Sequence, residues 1–163
     1  KRGLVEKVGE INEFIAGDPK LVAIVNFCCM PNHFHFTLQE LRERGISKFM
    51  QRLGNSFTKY FNIKSERSGR LFEASFQSIH IDRNEYLLYL SRYIHRNPKE
   101  LIGSKRLESY PWSSYQDYIL ENRWGEGLDP KAILNQFQDR SQYRDYVEAS
   151  LEEEIDPRYF LET

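Results

Sequence analysis

The segment from Leu21 to Gln39 constrains this chain more than any other. Leu21 to Cys29 is almost continuously apolar and rich in β-branched residues, the pattern of a buried central strand. Met30-Pro31-Asn32 reads as a turn. His33 to Gln39 then alternates, with His33, His35, Thr37 and Gln39 on one face and Phe34, Phe36 and Leu38 on the other. That is a half-buried strand, and its polar face carries both histidines side by side, because strand positions two apart point the same way.

The rest of the chain is read as mostly helical. Val5, Val8, Ile11, Phe14 and Ile15 recur at helical spacing, and Gly17-Asp18-Pro19 stops that run. Ile46 to Ile63 carries an apolar stripe of Ile46, Phe49, Met50, Leu53, Phe57, Tyr60 and Phe61, with Ser47 expected as its cap. Ser65 to Gly69 is a polar loop, and Arg70 to Ile81 is expected to contain short extended segments. Asn84 or Asp82 can cap the next helix, which Pro98 ends. Pro111 to Tyr115 starts another helix. Pro130–Phe137 and Gln142–Leu151 are smaller helical patterns. At 163 residues and 40% hydrophobic content, one domain with a real core is expected.

Several classes are set aside by composition. No apolar run approaches the roughly 20 residues that cross a bilayer, and the polar stretch Lys1 to Glu10 does not read as a secretory signal. Cys28 and Cys29 are adjacent and cannot build a disulfide framework, which suits a reducing cytoplasm. One of them could join the histidines as a metal ligand, but buried structural cysteine is the plainer reading.

The formal net charge of −1 hides an asymmetry. Arg42, Arg44, Lys48, Arg52, Lys59, Lys64, Arg67 and Arg70 are opposed only by Glu43 and Glu66, whereas the residues after Arg144 are strongly acidic. The basic middle is either a solvated helix face or an anion-binding surface.

Tyr93 and Asn97 supply a second pairing, because helix positions four apart share a face. A histidine pair can hold a divalent ion that polarises a phosphoryl oxygen, and a tyrosine hydroxyl can attack the phosphorus, storing the cut end as a phosphodiester. Asn97 is the candidate third ligand, placed by the same helix as the tyrosine. Imidazole alone suits zinc or manganese; a carboxamide and waters shift the preference toward magnesium or manganese. Each piece has a plain alternative. The histidines can be a polar strand face, Tyr86, Tyr89 and Tyr93 can be a packing stripe, and Asn97 can simply end a helix. His80 and His95 are isolated and read as structural.

Together these motifs resemble a known family. Met30-Pro31-Asn32-His33-Phe34-His35 is similar to the HUH motif (His, bulky apolar, His) of the single-tyrosine transposases. Tyr93-Ile94-His95-Arg96-Asn97-Pro98 resembles the segment that carries their nucleophile. Arg67-Ser68-Gly69-Arg70-Leu71-Phe72 and Tyr110-Pro111-Trp112-Ser113-Ser114-Tyr115 resemble blocks of the branch called REP-associated tyrosine transposases. The likeness runs from about Val5 to Tyr118, in the family's order and spacing.

The resemblance implies an α+β fold, with helices packed on a ferredoxin-like antiparallel sheet. It divides the chain into a catalytic region, residues 1–125, and a helical, acidic C-terminal extension of the same domain, residues 126–163. It implies metal-dependent, site-specific cleavage and joining of single-stranded DNA near imperfect hairpins through a 5′-phosphotyrosine link. By residue, Tyr93 would be the nucleophile, and His33, His35 and Asn97 would hold Mg2+ or Mn2+. Lys48, Arg52 and Lys59 would follow the DNA backbone, with Arg67 and Arg70 adding phosphate or base contacts. Tyr60 is a rival nucleophile and Tyr89 a weaker one; Lys64, not an amide, stands four residues after Tyr60. The implied protein is a monomer or homodimer of the bacterial cytoplasm, associated with the nucleoid and not with membranes. A hairpin-DNA-binding module without strand transfer is the alternative. The chain departs from the family at two places: Lys1 falls almost in the first helix, where members begin with a strand, and Ala74-Ser75-Phe76-Gln77 replaces a more basic stretch.

Overall fold

The computed structural model describes residues 20–103 and 105–149. The expected helix at Val5–Ala16, its Gly17-Asp18-Pro19 stop and the acidic residues beyond Ala149 lie outside them. Over the described residues the protein is α+β. A two-stranded antiparallel sheet pairs β1 (Val22–Cys29) with β2 (Phe34–Glu40). Six α-helical segments follow: α1 (Gly45–Lys64), α2 (Asn84–Arg96), α3 (Lys99–Ile102), α4 (Tyr115–Ile119), α5 (Lys131–Leu134) and α6 (Arg140–Glu148). Contacts divide the chain into two compact units. One takes the residues up to Ala23 with Gln39–Leu71, and the other takes Ile24–Leu38 with the residues from Phe72 onward.

In the first unit, α1 begins without the Ser47 cap. Arg44 is the N-cap, in a left-handed conformation at φ 58°. The carboxylate of Glu40, at the end of β2, accepts from the Ile46 N–H at 3.2 Å. A side chain from outside the helix thus satisfies one of the orphan donors of the first turn and places negative charge at the positive end of the dipole. Gly45 is buried, and a Cβ there would lie 2.2 Å from the Leu21 carbonyl oxygen. Only glycine lets the backbones approach so closely.

At the other end of α1, Arg67 N–H bonds the Asn62 carbonyl at 3.0 Å and Glu66 N–H bonds the Ile63 carbonyl at 3.4 Å. This is a Schellman closure, with Glu66 at φ 51° in the position that glycine usually fills. The expected apolar stripe is only partly covered within the described residues: Phe57 and Tyr60 are exposed, as is Ile63 at the end of the helix.

The second unit holds the core. Val25 of β1 packs with Tyr115, Tyr118 and Ile119 of α4 and with Leu128, Ile133, Tyr143 and Val147 from the segments that follow. Three of these buried side chains are tyrosines, so their hydroxyls need partners. Tyr118 donates to the Val25 carbonyl at 2.7 Å, and Tyr115 donates to Glu148 at 2.7 Å.

Residues 112–114 do not start a helix, as the sequence suggested, but form a short rung on β1. Cys29 N–H bonds Trp112 O at 2.8 Å, Ser114 N–H bonds Phe27 O at 3.0 Å, and Cys28 bridges Ser113 in antiparallel sense. β1 is therefore flanked by β2 and by this rung, as a central strand would be. The extended segments expected between Arg70 and Ile81 form no strand. Helix α2 starts at Asn84, with Arg83 as an extended N-cap and no side-chain cap from Asp82 or Asn84. The Asn84 amide instead donates to Gln136.

Candidate functional site

The turn before β2 sets the first half of the site. Met30 N–H closes it on the His33 carbonyl at 2.8 Å. Asn32 Oδ1 lies 2.8 Å from His33 Nδ1. An oxygen there accepts a proton from Nδ1 and leaves Nε2 as the ligating nitrogen, the usual way an outer group fixes a ligand's tautomer. Asn32 was read from sequence only as a turn residue. Pleating then brings His35 beside His33, with ring centres 5.0 Å apart and planes at 79°.

Helix α2 sets the second half. Its faces differ in burial. Tyr86, Ser91, Ile94 and His95 are buried, while Tyr93 is half-buried and faces the histidines, its ring centre 5.6 Å from that of His35 at 76°. His33, His35 and Tyr93 are thus brought together by ring contact within one unit. Asn97 is related to them by its place on the same helix. It is the C-cap, half-buried, one turn beyond Tyr93, and its N–H bonds the Ile94 carbonyl at 3.4 Å.

His95 fixes this helix from its opposite side. The ring is fully buried. Nδ1 lies 2.7 Å from the Tyr143 hydroxyl, and Nε2 lies 2.8 Å from Ser114 Oγ. Ser114 Oγ also accepts from Phe27 N–H at 2.9 Å and lies 3.1 Å from Phe27 O. One proton assignment satisfies every group: Tyr143 donates to Nδ1, Nε2 donates to Ser114, and Ser114 donates to Phe27 O. Burial holds the imidazole neutral, with its pKa lowered to about 3. The expectation that His95 is structural holds, and its role is specific. It ties the tyrosine helix to β1, the neighbour of the histidine strand. The Ser114 signal lay in the Pro111–Tyr115 block, whose pairing with β1 cannot be read from spacing.

The rival tyrosines have other surroundings. Tyr60 is exposed on α1 in the first unit, with Lys64 Nζ 5.7 Å from its ring centre. Tyr89 is pushed up to about 12, first by burial and then by Tyr86 and Tyr146, which makes its phenolate hard to form. The expected DNA-contacting residues Lys48, Arg52, Lys59, Arg67 and Arg70 are all exposed and all belong to the first unit. Arg67 also braces its own loop. It donates to the Arg70 carbonyl at 2.7 Å and stacks over Phe61 at 5.8 Å.

The donor set can be tested against a divalent ion. Two imidazoles on one ion, each nitrogen at about 2.1 Å, hold their ring centres about 4.5–5.2 Å apart in cis or tetrahedral arrangement. The observed 5.0 Å lies inside that span. No cluster of three or more His, Cys, Asp or Glu side chains suited to a metal occurs among the described residues. Asn97, on the helix that carries Tyr93, offers a carboxamide as a third donor. Two imidazoles, one carboxamide oxygen and remaining water positions fit an ion of the magnesium–manganese type. The cysteines do not join them. Cys28 is buried in the β1 rung, and its thiol is pushed up to about 12, chiefly by burial.

A histidine pair at the start of β2 thus faces a helix-borne tyrosine in an α+β chain. The model of the IS200-like transposases matches residues 2–97, a span that includes both histidines, the tyrosine and Asn97. The chain belongs to that family. No curated protein and no solved structure matches it. Transposase membership implies a DNA partner, and among the described residues no helix is long and apolar enough to cross a membrane.

Proposed function

We propose that this transposase cleaves and rejoins single-stranded, hairpin-bearing DNA through Tyr93. The single observation that carries the reading is the contact of the Tyr93 ring with His35 at 5.6 Å, beside His33 at 5.0 Å from His35. The β1–β2 pair would belong to a ferredoxin-like sheet, with the 112–114 rung on its other flank.

In the forward step Tyr93 Oη attacks the scissile phosphorus. The new Oη–P bond forms as the P–O3′ bond breaks. The phenol proton ends on the departing 3′ oxygen, so the products are a 5′-phosphotyrosine and a free 3′ hydroxyl. Joining is the reverse, with a 3′ hydroxyl attacking the phosphotyrosine. His33, His35 and Asn97 would hold Mg2+ or Mn2+, which when bound supplies charge neutralisation on the phosphate. Asn32 keeps the His33 ring in one tautomer, and α2 carries nucleophile and amide on one rigid element, which favours a near-attack arrangement. Exposed Lys48, Arg52, Lys59 and Arg70 would contribute the salt-sensitive, sequence-independent part of binding.

The test is a denaturing gel of labelled hairpin-containing single strands incubated with the protein and Mg2+ or Mn2+. A covalent adduct is expected with the wild type and lost in Tyr93→Phe, while Tyr60→Phe and Tyr89→Phe retain it. DNA binding without any adduct would instead mark a recognition module.

A further inference from the structure

A pocket of about 200 Å³ opens beside the C-terminal end of α2. Arg96, Lys99, Lys105 and Arg106 line it, against one carboxylate, Glu148. That carboxylate accepts the Tyr115 hydroxyl at 2.7 Å. Arg106 Nε lies 2.8 Å from Glu108. Arg96 is a latch as well as a wall: its Nη1 donates to the carbonyls of Val147 at 2.8 Å and Ala149 at 2.7 Å.

Cations often gather at a helix C-terminus, where they offset the dipole. That accounts for Arg96. It does not account for Lys105 and Arg106, which follow both α2 and α3 in the chain and still turn toward the same hollow. Four cations around one carboxylate suit an anion. The location says which anion. Arg96 is three residues beyond Tyr93, about 4.5 Å further along the helix axis. A strand held at Tyr93 would bring a neighbouring backbone phosphate within reach of such a position.

We propose that this pocket binds a backbone phosphate of the DNA single strand, close to the phosphate attacked by Tyr93. The proposal rests on the strand-transfer reading above. The guanidinium groups supply forked donors that match phosphate oxygens, and the lysines supply mobile point charges.

The experiment uses the full chain and a labelled single strand, with affinity measured by fluorescence anisotropy across a salt series. In a Lys99→Gln/Lys105→Gln variant, the slope of log K against log salt should become shallower by about 0.7 for one lost phosphate contact, and affinity near ~0.1 M salt should fall about fivefold. Both lysines are exposed, so the melting temperature should not move; Arg96 is left intact because it holds Val147 and Ala149. A second readout needs no variant. Methylphosphonate linkages, which are neutral, are placed one at a time along the strand. One linkage near the scissile position should weaken wild-type binding about fivefold and weaken the double variant clearly less. Unchanged slopes, or an equal methylphosphonate effect in both proteins, overturn the pocket. Adduct formation is scored on the same samples. Adduct with unchanged slopes removes only the pocket, binding with no wild-type adduct removes the strand-transfer reading, and no binding at all removes both.

Discussion

Acid should loosen this protein through His95 more steeply than its few histidines suggest. The unfolded chain takes up a proton on this ring below about pH 6.5, whereas the folded chain holds it neutral down to about 3. Across that window unfolding binds a proton, so stability falls as pH falls, by about 1.4 kcal/mol per pH unit. Between pH 6.5 and 5 the loss is about 2 kcal/mol, or a melting temperature lower by about 4–8 °C in a domain of this size. The perturbation that isolates the group is His95→Leu. It should begin less stable at pH 7 by about 1–3 kcal/mol, because the buried Tyr143 hydroxyl loses its imidazole partner. Its stability should then decline more gently with acid, because the titrating group is gone and the others are shared. Thermal melts at pH 7, 6 and 5 read both effects. Adding Tyr143→Phe should recover part of the deficit, since the buried hydroxyl that lost its imidazole partner leaves with it. Parallel pH profiles for wild type and His95→Leu would refute the reasoning.

Other substitutions test the frame around the site. Gly45→Ala should destabilise by about 2–4 kcal/mol in denaturant titrations, because the new methyl meets the Leu21 carbonyl, which is backbone and cannot swing away. Glu66→Gly should stabilise by about 0.5–1 kcal/mol in the same assay, by relieving a left-handed residue at the end of α1. Asp117→Ala should cost about 2–3 kcal/mol, read as a lower melting temperature. Its buried carboxylate accepts from the Arg123 backbone N–H at 2.9 Å, and from Nε and Nη2 at 2.8 Å each. Cys28 should resist iodoacetamide in the native protein near pH 8 and react only on unfolding, as mass spectrometry of the alkylated protein can establish. Burial keeps its thiol protonated.

The strands and the two long helices were legible because their signals are periodic and local. The apolar run predicted β1, the alternation predicted β2 with His35 on it and His33 just before it, and the stripes predicted α1 and α2 to within a residue or two. What escaped was set by partners distant in sequence. The cap of α1 comes from Glu40 on a strand rather than from Ser47, and no local pattern announces a carboxylate arriving from outside the helix. Asn84 resembles a cap but its amide finds Gln136. Pro111, Ser113 and Ser114 suit a helix start, yet the flank of β1 takes residues 112–114 as a rung first. The segment from Arg70 to Ile81 finds no ladder partner among the described residues, and extended residues without one are not a strand. At the site, spacing placed His33 with His35 and Tyr93 with Asn97. The meeting of the two pairs, and the roles of Asn32, Ser114 and Tyr143, are tertiary facts.

The bond from His95 to Tyr143 also dictates an order of assembly. During synthesis the β1–β2 pair and helix α2 leave the ribosome well before residue 143 does, and Ser114 follows them. Until α6 has emerged, the helix that carries Tyr93 lacks one of its two buried anchors. A chain interrupted anywhere in that interval holds both histidines and the tyrosine without the His95–Tyr143 clamp, so a prematurely terminated product has the parts of the candidate site but not its rigidity.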